Sequence, residues 1–163
     1  IIVKARVLES MSIGKSLGCE ETIFFGIPDG RILMNANNGK LLNDVSKIIE
    51  KYQPKMIFTH SASEIHLDHR GVYNIVRKSL SAIKYKYSLY TFSIWNPFNI
   101  IHRNKPKLYI DISNNYKKKI ESMKLFKSQP HFIYLLIPMV ILRARIYGFE
   151  NKCKYAEKFY KVI

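Results

Sequence analysis

Met56-Ile57-Phe58-Thr59-His60 and, six residues after that histidine, His66-Leu67-Asp68-His69 form the stretch on which the reading of this chain turns. Met56 to Thr59 is a short continuous run of apolar and β-branched residues and reads as a buried strand. The polar residues from His60 to Asp68 read as a loop, and a helix is expected from about His69 to Ile83. Upstream, Leu41, Val45, Ile48, Ile49 and Tyr52 share one helical face, and Gln53-Pro54 breaks that helix. Further upstream, Val3, Val7, Leu8, Met11 and Leu17 mark a first helix, which Gly18 ends as a left-handed cap would. Thr22 to Phe25 reads as a short strand, followed by turn chemistry in Gly26-Ile27-Pro28-Asp29-Gly30.

Downstream, Tyr87 to Trp95 is β-rich and Asn96-Pro97 closes it. Leu108 to Asp111 reads as another strand, Ser113 can cap a helix reaching about Lys127, and an apolar helix covers roughly His131 to Tyr147. Helices alternating with short apolar strands predict an α/β fold: a Rossmann-like, mostly parallel sheet with helices on both faces. Ligands of such sheets sit outside the carboxyl ends of the strands. That rule directs attention to two loops, Gly26–Gly30 and His60–His69.

Composition narrows the class. The 163 residues are read as a single domain, 1–163, large enough to bury a core without staples. With 47% hydrophobic and 24% charged residues the chain is globular in composition and not disordered. Two cysteines, Cys19 and Cys153, exclude a disulfide framework, and no CxxC is present, so a reducing, cytoplasmic setting is expected. The formal net charge is +15, and it is uneven: residues 1–100 carry 13 basic and 8 acidic groups, residues 101–163 carry 14 and 4. A basic half suits an anionic partner such as a membrane surface or nucleic acid, although an AT-rich coding sequence accounts for the same lysines. No RNA-binding signature accompanies the charge, so no nucleic-acid partner is expected. The apolar run Phe132–Leu142 is interrupted by Pro138 and is read as a core helix; Arg143 and Arg145 beside it leave peripheral membrane contact open.

His66-Leu67-Asp68-His69 carries the chemistry. Two imidazoles flank a carboxylate at a helix start, and zinc takes neutral imidazole and carboxylate ligands. A carboxylate behind a histidine fixes which ring nitrogen is free, and histidine is the usual acid or base near neutral pH. Three protein ligands are normal for catalytic zinc, more than this cluster can aim at one ion. On local spacing alone the simpler reading is a polar cap, with Asp68 capping a helix that begins at His69.

The ordered set of motifs resembles the PIG-L/LmbE-like family of zinc-dependent N-deacetylases. Arg6-Val7-Leu8-Glu9, Leu17-Gly18, Gly26-Ile27-Pro28-Asp29-Gly30, Thr59-His60 and His66-Leu67-Asp68-His69 follow the family's order. So do Asp111-Ile112-Ser113, Lys119, Ser128-Gln129 and Ala156-Glu157-Lys158-Phe159. Leu67 stands where the family has proline. By the resemblance, His69 is a zinc ligand, His66 protonates the leaving amine or stabilises the oxyanion, and Asp68 orients a histidine. Arg6 and Asp29 match substrate-holding positions.

The resemblance further implies hydrolysis of an N-acetyl group on an N-acetylglucosamine-containing small molecule or glycolipid. The family's other motif, Ala-His-Pro-Asp-Asp-Glu, supplies two further ligands and the general base; it does not occur here. The family places it before the Arg-x-x-Glu helix, which is where this chain begins, so the resemblance implies a chain lacking the first strand and that motif. The alternative is a non-catalytic basic α/β domain that binds a sugar or an anionic surface.

Overall fold

Helix ends are set locally along this chain. Asn38 accepts the Leu41 N–H at 3.2 Å through its side chain and so starts the helix Gly39–Tyr52. Gln53, in the left-handed region at φ 43°, ends it by donating its N–H to Ile49. Gly18, at φ 84°, ends the first helix as expected. The computed structural model describes residues 2–94 and 106–163. Trp95 and Asn96-Pro97, expected to close the β-rich run, lie outside the described residues.

In chain order the elements are α1 (Ile2–Leu17), α2 (Gly39–Tyr52), β1 (Met56–His60), α3 (Leu67–Ser79), β2 (Ser88–Phe92), β3 (Lys107–Asp111), α4 (Tyr116–Lys124), α5 (Pro130–Glu150) and β4 (Ala156–Lys161). A 3-10 turn, Leu80–Ala82, follows α3. The class is α/β, and the strands form one sheet of order β1-β2-β4-β3. β1 and β2 are parallel, in register from Met56 opposite Ser88 to His60 opposite Phe92, and α3 connects them. This is the βαβ unit read from the sequence.

The sheet is mixed, not mostly parallel in its pairings. β4 runs antiparallel to β2, with Tyr90 opposite Lys161 and Thr91 opposite Tyr160. It also runs antiparallel to β3, since Lys161 N–H reaches Pro106 while Ile112 N–H reaches Tyr155. β1, β2 and β3 therefore point one way and β4, slotted between β2 and β3, points the other. The sequence reading had no strand at Ala156–Lys161, a polar segment whose alternation is short. Thr22–Phe25 is also not a strand, for it pairs with none among the described residues, and Ile23, Phe24 and Phe25 are exposed.

The chain divides into two compact units, one of Ile1–Phe24 and Tyr109–Glu157, the other of Phe25–Leu108 and Lys158–Ile163. In the second, α2 and α3 pack on each other and α3 packs on β1. Ile49, Leu80 and Leu89 form one buried cluster there with Ile57 and Val76 beside it; Ala36, Leu41 and Ile75 form another against Ile27 and Ile32. Full burial of each such aliphatic side chain contributes roughly 1.5–3 kcal/mol. Ser46 Oγ reaches both Leu42 O and Ser79 O, tying α2 to α3.

In the first unit the motif residues hold each other. Glu9 on α1 accepts from Ser128 N–H at 2.9 Å and from Ser128 Oγ at 2.6 Å. Lys119 on α4 pairs with Glu157 at the start of β4, and Tyr116 stacks on Tyr155 at 3.7 Å. α5 runs unbroken through Pro138, and in it only Ala144 and Gly148 are buried. It is long and apolar enough to cross a membrane by length and composition. The expectation of a core helix is thereby overturned: too little of the unit covers it.

Gly71 on α3 fixes how closely that helix approaches the 32–33 segment. A Cβ there would lie 2.6 Å from Leu33 N and 2.8 Å from Ile32 C, both backbone atoms that cannot swing aside. Gly71→Ala is therefore expected to lower the free energy of urea unfolding by about 2 kcal/mol or more. An unchanged urea midpoint would show that this approach is not tight.

Candidate functional site

β1 delivers His60 at its carboxyl end, and the chain then turns sharply. Ser61 N–H donates to Phe92 O on β2, and Ser61 Oγ lies 2.8 Å from Ser63 Oγ. Glu64 N–H closes the turn on Ser61 O. The turn sends the Glu64 carboxylate inward, where the residue is 2% exposed. Its Oε1 accepts the Ile94 N–H at 2.7 Å and its Oε2 lies 3.1 Å from His69 Nδ1. A buried carboxylate is costly without partners, and these two contacts answer that cost.

His66 starts α3. Its Nδ1 accepts the Asp68 N–H at 3.2 Å, so the helix begins at Leu67 and its cap is His66. Asp68, expected as the cap, sits inside the first turn and is 5% exposed. Its two oxygens accept from Gly30 N–H at 2.5 Å and Ile32 N–H at 3.1 Å. Asp68 thus joins the Gly26–Gly30 turn to the histidine loop, and Asp29 is the residue before one of its donors. The carboxylate on a histidine is Glu64, which sequence reasoning passed over. Its signal was available in a loop glutamate five residues before His69.

The three imidazoles lie together. His60 and His69 stack with ring centroids 3.9 Å apart and planes 10° apart; His66 and His69 are 4.8 Å apart. The sequence places His60 at the start of the loop and in the Thr59-His60 motif without giving it a role, yet its ring belongs to this group. Arg6 lies on α1, in the other unit.

Burial drives the His60 pKa down from 6.5 to about 4, with His69 and then His66 pushing the same way against the opposing pull of Glu64. His60 is therefore neutral at pH 7, and its Nδ1 is buried with no hydrogen-bond partner among the described residues. The contacts also separate the other two rings. With Nδ1 accepting, neutral His66 carries its proton on Nε2; with Nδ1–H donated to Glu64, neutral His69 keeps a lone pair on Nε2. One ring can donate a hydrogen bond from Nε2 and the other can bind a proton or a metal there.

Among the described residues, no group of three or more His, Cys, Asp and Glu side chains is arranged to hold a metal ion. His69 alone has the donor geometry of a ligand backed by a carboxylate. The described residues by themselves do not fit a complete zinc site, which takes three protein ligands.

Residues 2–80 match the family model described as PIG-L, GlcNAc-PI de-N-acetylase. Over that stretch the chain is similar to the PIG-L family. The match contains Arg6, Asp29, His60, Glu64, His66, Asp68 and His69. The family so matched is one of deacetylase-like hydrolases.

Three solved structures share the fold. A conserved protein from Thermus thermophilus matches with a TM-score of 0.79 at 16% identity, covering 98% of this chain and 74% of that one. The 4-carboxy-2-hydroxymuconate hydratase of Pseudomonas putida gives 0.81 at 20%, covering 98% and 72%. The N,N'-diacetylchitobiose deacetylase of Pyrococcus horikoshii gives 0.78 at 17%, covering 99% and 64%. At these identities the likeness is one of fold.

The His60 shift sets a pH window. The unfolded chain takes up the proton near pH 6.5 and the folded chain only near pH 4, so the unfolded state holds more protons between those values. His60's contribution is thus full above about pH 6.5 and disappears as the pH falls towards 4, a change of at most about 3 kcal/mol. His60→Gln should remove that part of the acid sensitivity. Urea unfolding of both proteins at pH 7 and pH 4.5 checks it: parallel losses in the two would refute the assignment.

Proposed function

We propose that this chain serves in the hydrolysis of an N-acetyl group from an N-acetylglucosamine-type sugar conjugate, with His66 and His69 in different roles. The observation that carries the reading is the divided hydrogen bonding of the two rings: His69 Nδ1 on buried Glu64, His66 Nδ1 on the Asp68 N–H. Support for the substrate comes from the family description, GlcNAc-PI de-N-acetylase, and from the deacetylase among the structures of like fold.

The reaction adds water across an amide. The acetyl carbon gains the hydroxyl, the C–N bond breaks, and the departing nitrogen must gain a proton for the products to be acetate and a free amine. His66 Nε2–H is the proposed hydrogen-bond donor to the oxyanion that precedes that departure, and the proton the nitrogen gains comes from the added water. Glu64 fixes the tautomer and orientation of His69, whose Nε2 is the proposed ligand for zinc, with the other ligands outside the described residues.

Asp68 acts by holding the Gly30 turn against the histidines. Asp29, exposed in that turn, is the proposed substrate contact on this side. Arg6 is proposed as a second substrate contact on the resemblance alone.

The test uses the native protein that carries this chain, assayed for acetate release from an N-acetylglucosamine conjugate with bound metal measured in parallel. His66→Ala is expected to lower kcat by roughly 10²–10⁴-fold with metal content unchanged. His69→Ala should lower both activity and metal content, and Glu64→Gln should cost about 10–100-fold. If both histidine variants release acetate at the unaltered rate, the reading fails.

A further inference from the structure

α5 is apolar nearly all round, and such a helix is ordinarily buried or in lipid. Here its two sides differ in company and not in polarity. Ile133, Ile137, Ile141, Ala144 and Gly148 face the unit, with Ala144 and Gly148 buried. Turned away from the unit, Leu135 is 64% exposed, Leu142 57% and Phe149 88%, with Tyr134, 69% exposed, between the two sides. Spacings of seven residues keep Leu135, Leu142 and Phe149 in one line along the helix. An apolar stripe of that length is not left in water without a partner.

Charge around the helix says which partner. From Ser113 to Lys154 the sequence has nine Lys and Arg against Glu121 and Glu150. Lys124 and Lys127 line a shallow pocket of about 130 Å³ with Phe126, Pro130, Ile133 and Tyr134, at the point where α5 begins. Two ammonium groups over an apolar floor at a helix N-terminus suit an anionic headgroup with its acyl chain alongside.

Crossing the bilayer is excluded by the connections. Both flanks of the helix meet within the same unit, since Lys119 pairs with Glu157 and Tyr116 stacks on Tyr155. A helix of 21 residues is about 30 Å long. Spanning would draw the non-helical Leu125–Gln129 segment, with Lys127, into hydrocarbon, where irregular backbone is not tolerated. Pro138 lies on the exposed side and cannot donate to the Tyr134 carbonyl four residues before it. That carbonyl needs water or headgroups within reach.

We infer that α5 is an in-plane membrane anchor, its Leu135–Leu142–Phe149 stripe seated in the headgroup–acyl boundary of an anionic lipid surface with Lys124 and Lys127 on the headgroups. The inference rests on the helix and does not depend on the deacetylase reading.

Flotation of the native protein with vesicles tests it, comparing phosphatidylcholine alone with phosphatidylcholine containing phosphatidylserine. Binding should favour the anionic vesicles and weaken with salt. The double variant Leu135→Glu/Leu142→Glu should bind at least about tenfold less, with an unchanged circular dichroism spectrum, because exposed positions carry the changes. Lys124→Glu/Lys127→Glu should remove the preference for phosphatidylserine while leaving weak binding to both vesicles. Undiminished vesicle binding by the leucine variant would overturn the proposal. So would a protein that ignores vesicles but forms a dimer, seen by analytical ultracentrifugation, that the same leucine variant dissociates.

Discussion

The Asp68 carboxylate accepts backbone N–H groups from Gly30 and Ile32, and the rest of the histidine site is arranged around that clamp. It joins the first turn of α3 to a loop nearly forty positions earlier in the chain. Gly71, one helical turn on, lets α3 come within backbone contact of Ile32 and Leu33. Once α3 is fixed there, His66 and His69 are fixed with it, and β1 brings His60 to meet them. An acidic side chain accepting two backbone donors in a buried setting is worth more than a neutral pair. The carboxylate that meets a histidine is Glu64, on the loop before α3.

Much of the fold was legible because the signals were local. The end of α1 at Gly18, α2 from its apolar face, β1 from four consecutive residues and the βαβ unit all follow from short-range patterns. β4 was missed because Ala-Glu-Lys-Phe-Tyr-Lys is polar along half its length and is held in the sheet by neighbours on both sides, a non-local fact. The same omission produced the expectation of a mostly parallel sheet. Thr22–Phe25 erred the other way: its residues favour a strand, but no partner among the described residues pairs with it. The helix boundary at His69 moved to Leu67 because an imidazole took over as cap, a role ordinarily expected of Asp, Asn, Ser or Thr.

Several motifs that looked weak in isolation prove to be halves of contacts. Glu9 meets Ser128, and Lys119 meets Glu157; Ser113 holds Asp111 through its hydroxyl and N–H and also contacts Tyr155. Their order along the chain was readable, but their pairing was not, since nothing in spacing says which distant polar group will face which. The site was legible to the same degree. The histidines stood out by type and proximity, whereas Glu64 and the stacking of His60 on His69 depend on how the Ser61–Glu64 turn closes.

The Glu9–Ser128 contact joins residues 119 positions apart, and this bears on synthesis. α1 leaves the ribosome well before the other residues of its unit, which begin at Tyr109. At ordinary translation rates its partner arrives on the order of ten seconds later. Through that interval Ile2, Val3, Leu8 and Met11, exposed even in the finished fold, have no Ser128 segment to hold their helix in place. The other unit waits as well, because β4 is made after both of its neighbouring strands. Completion of the sheet is thus deferred until β4 has emerged.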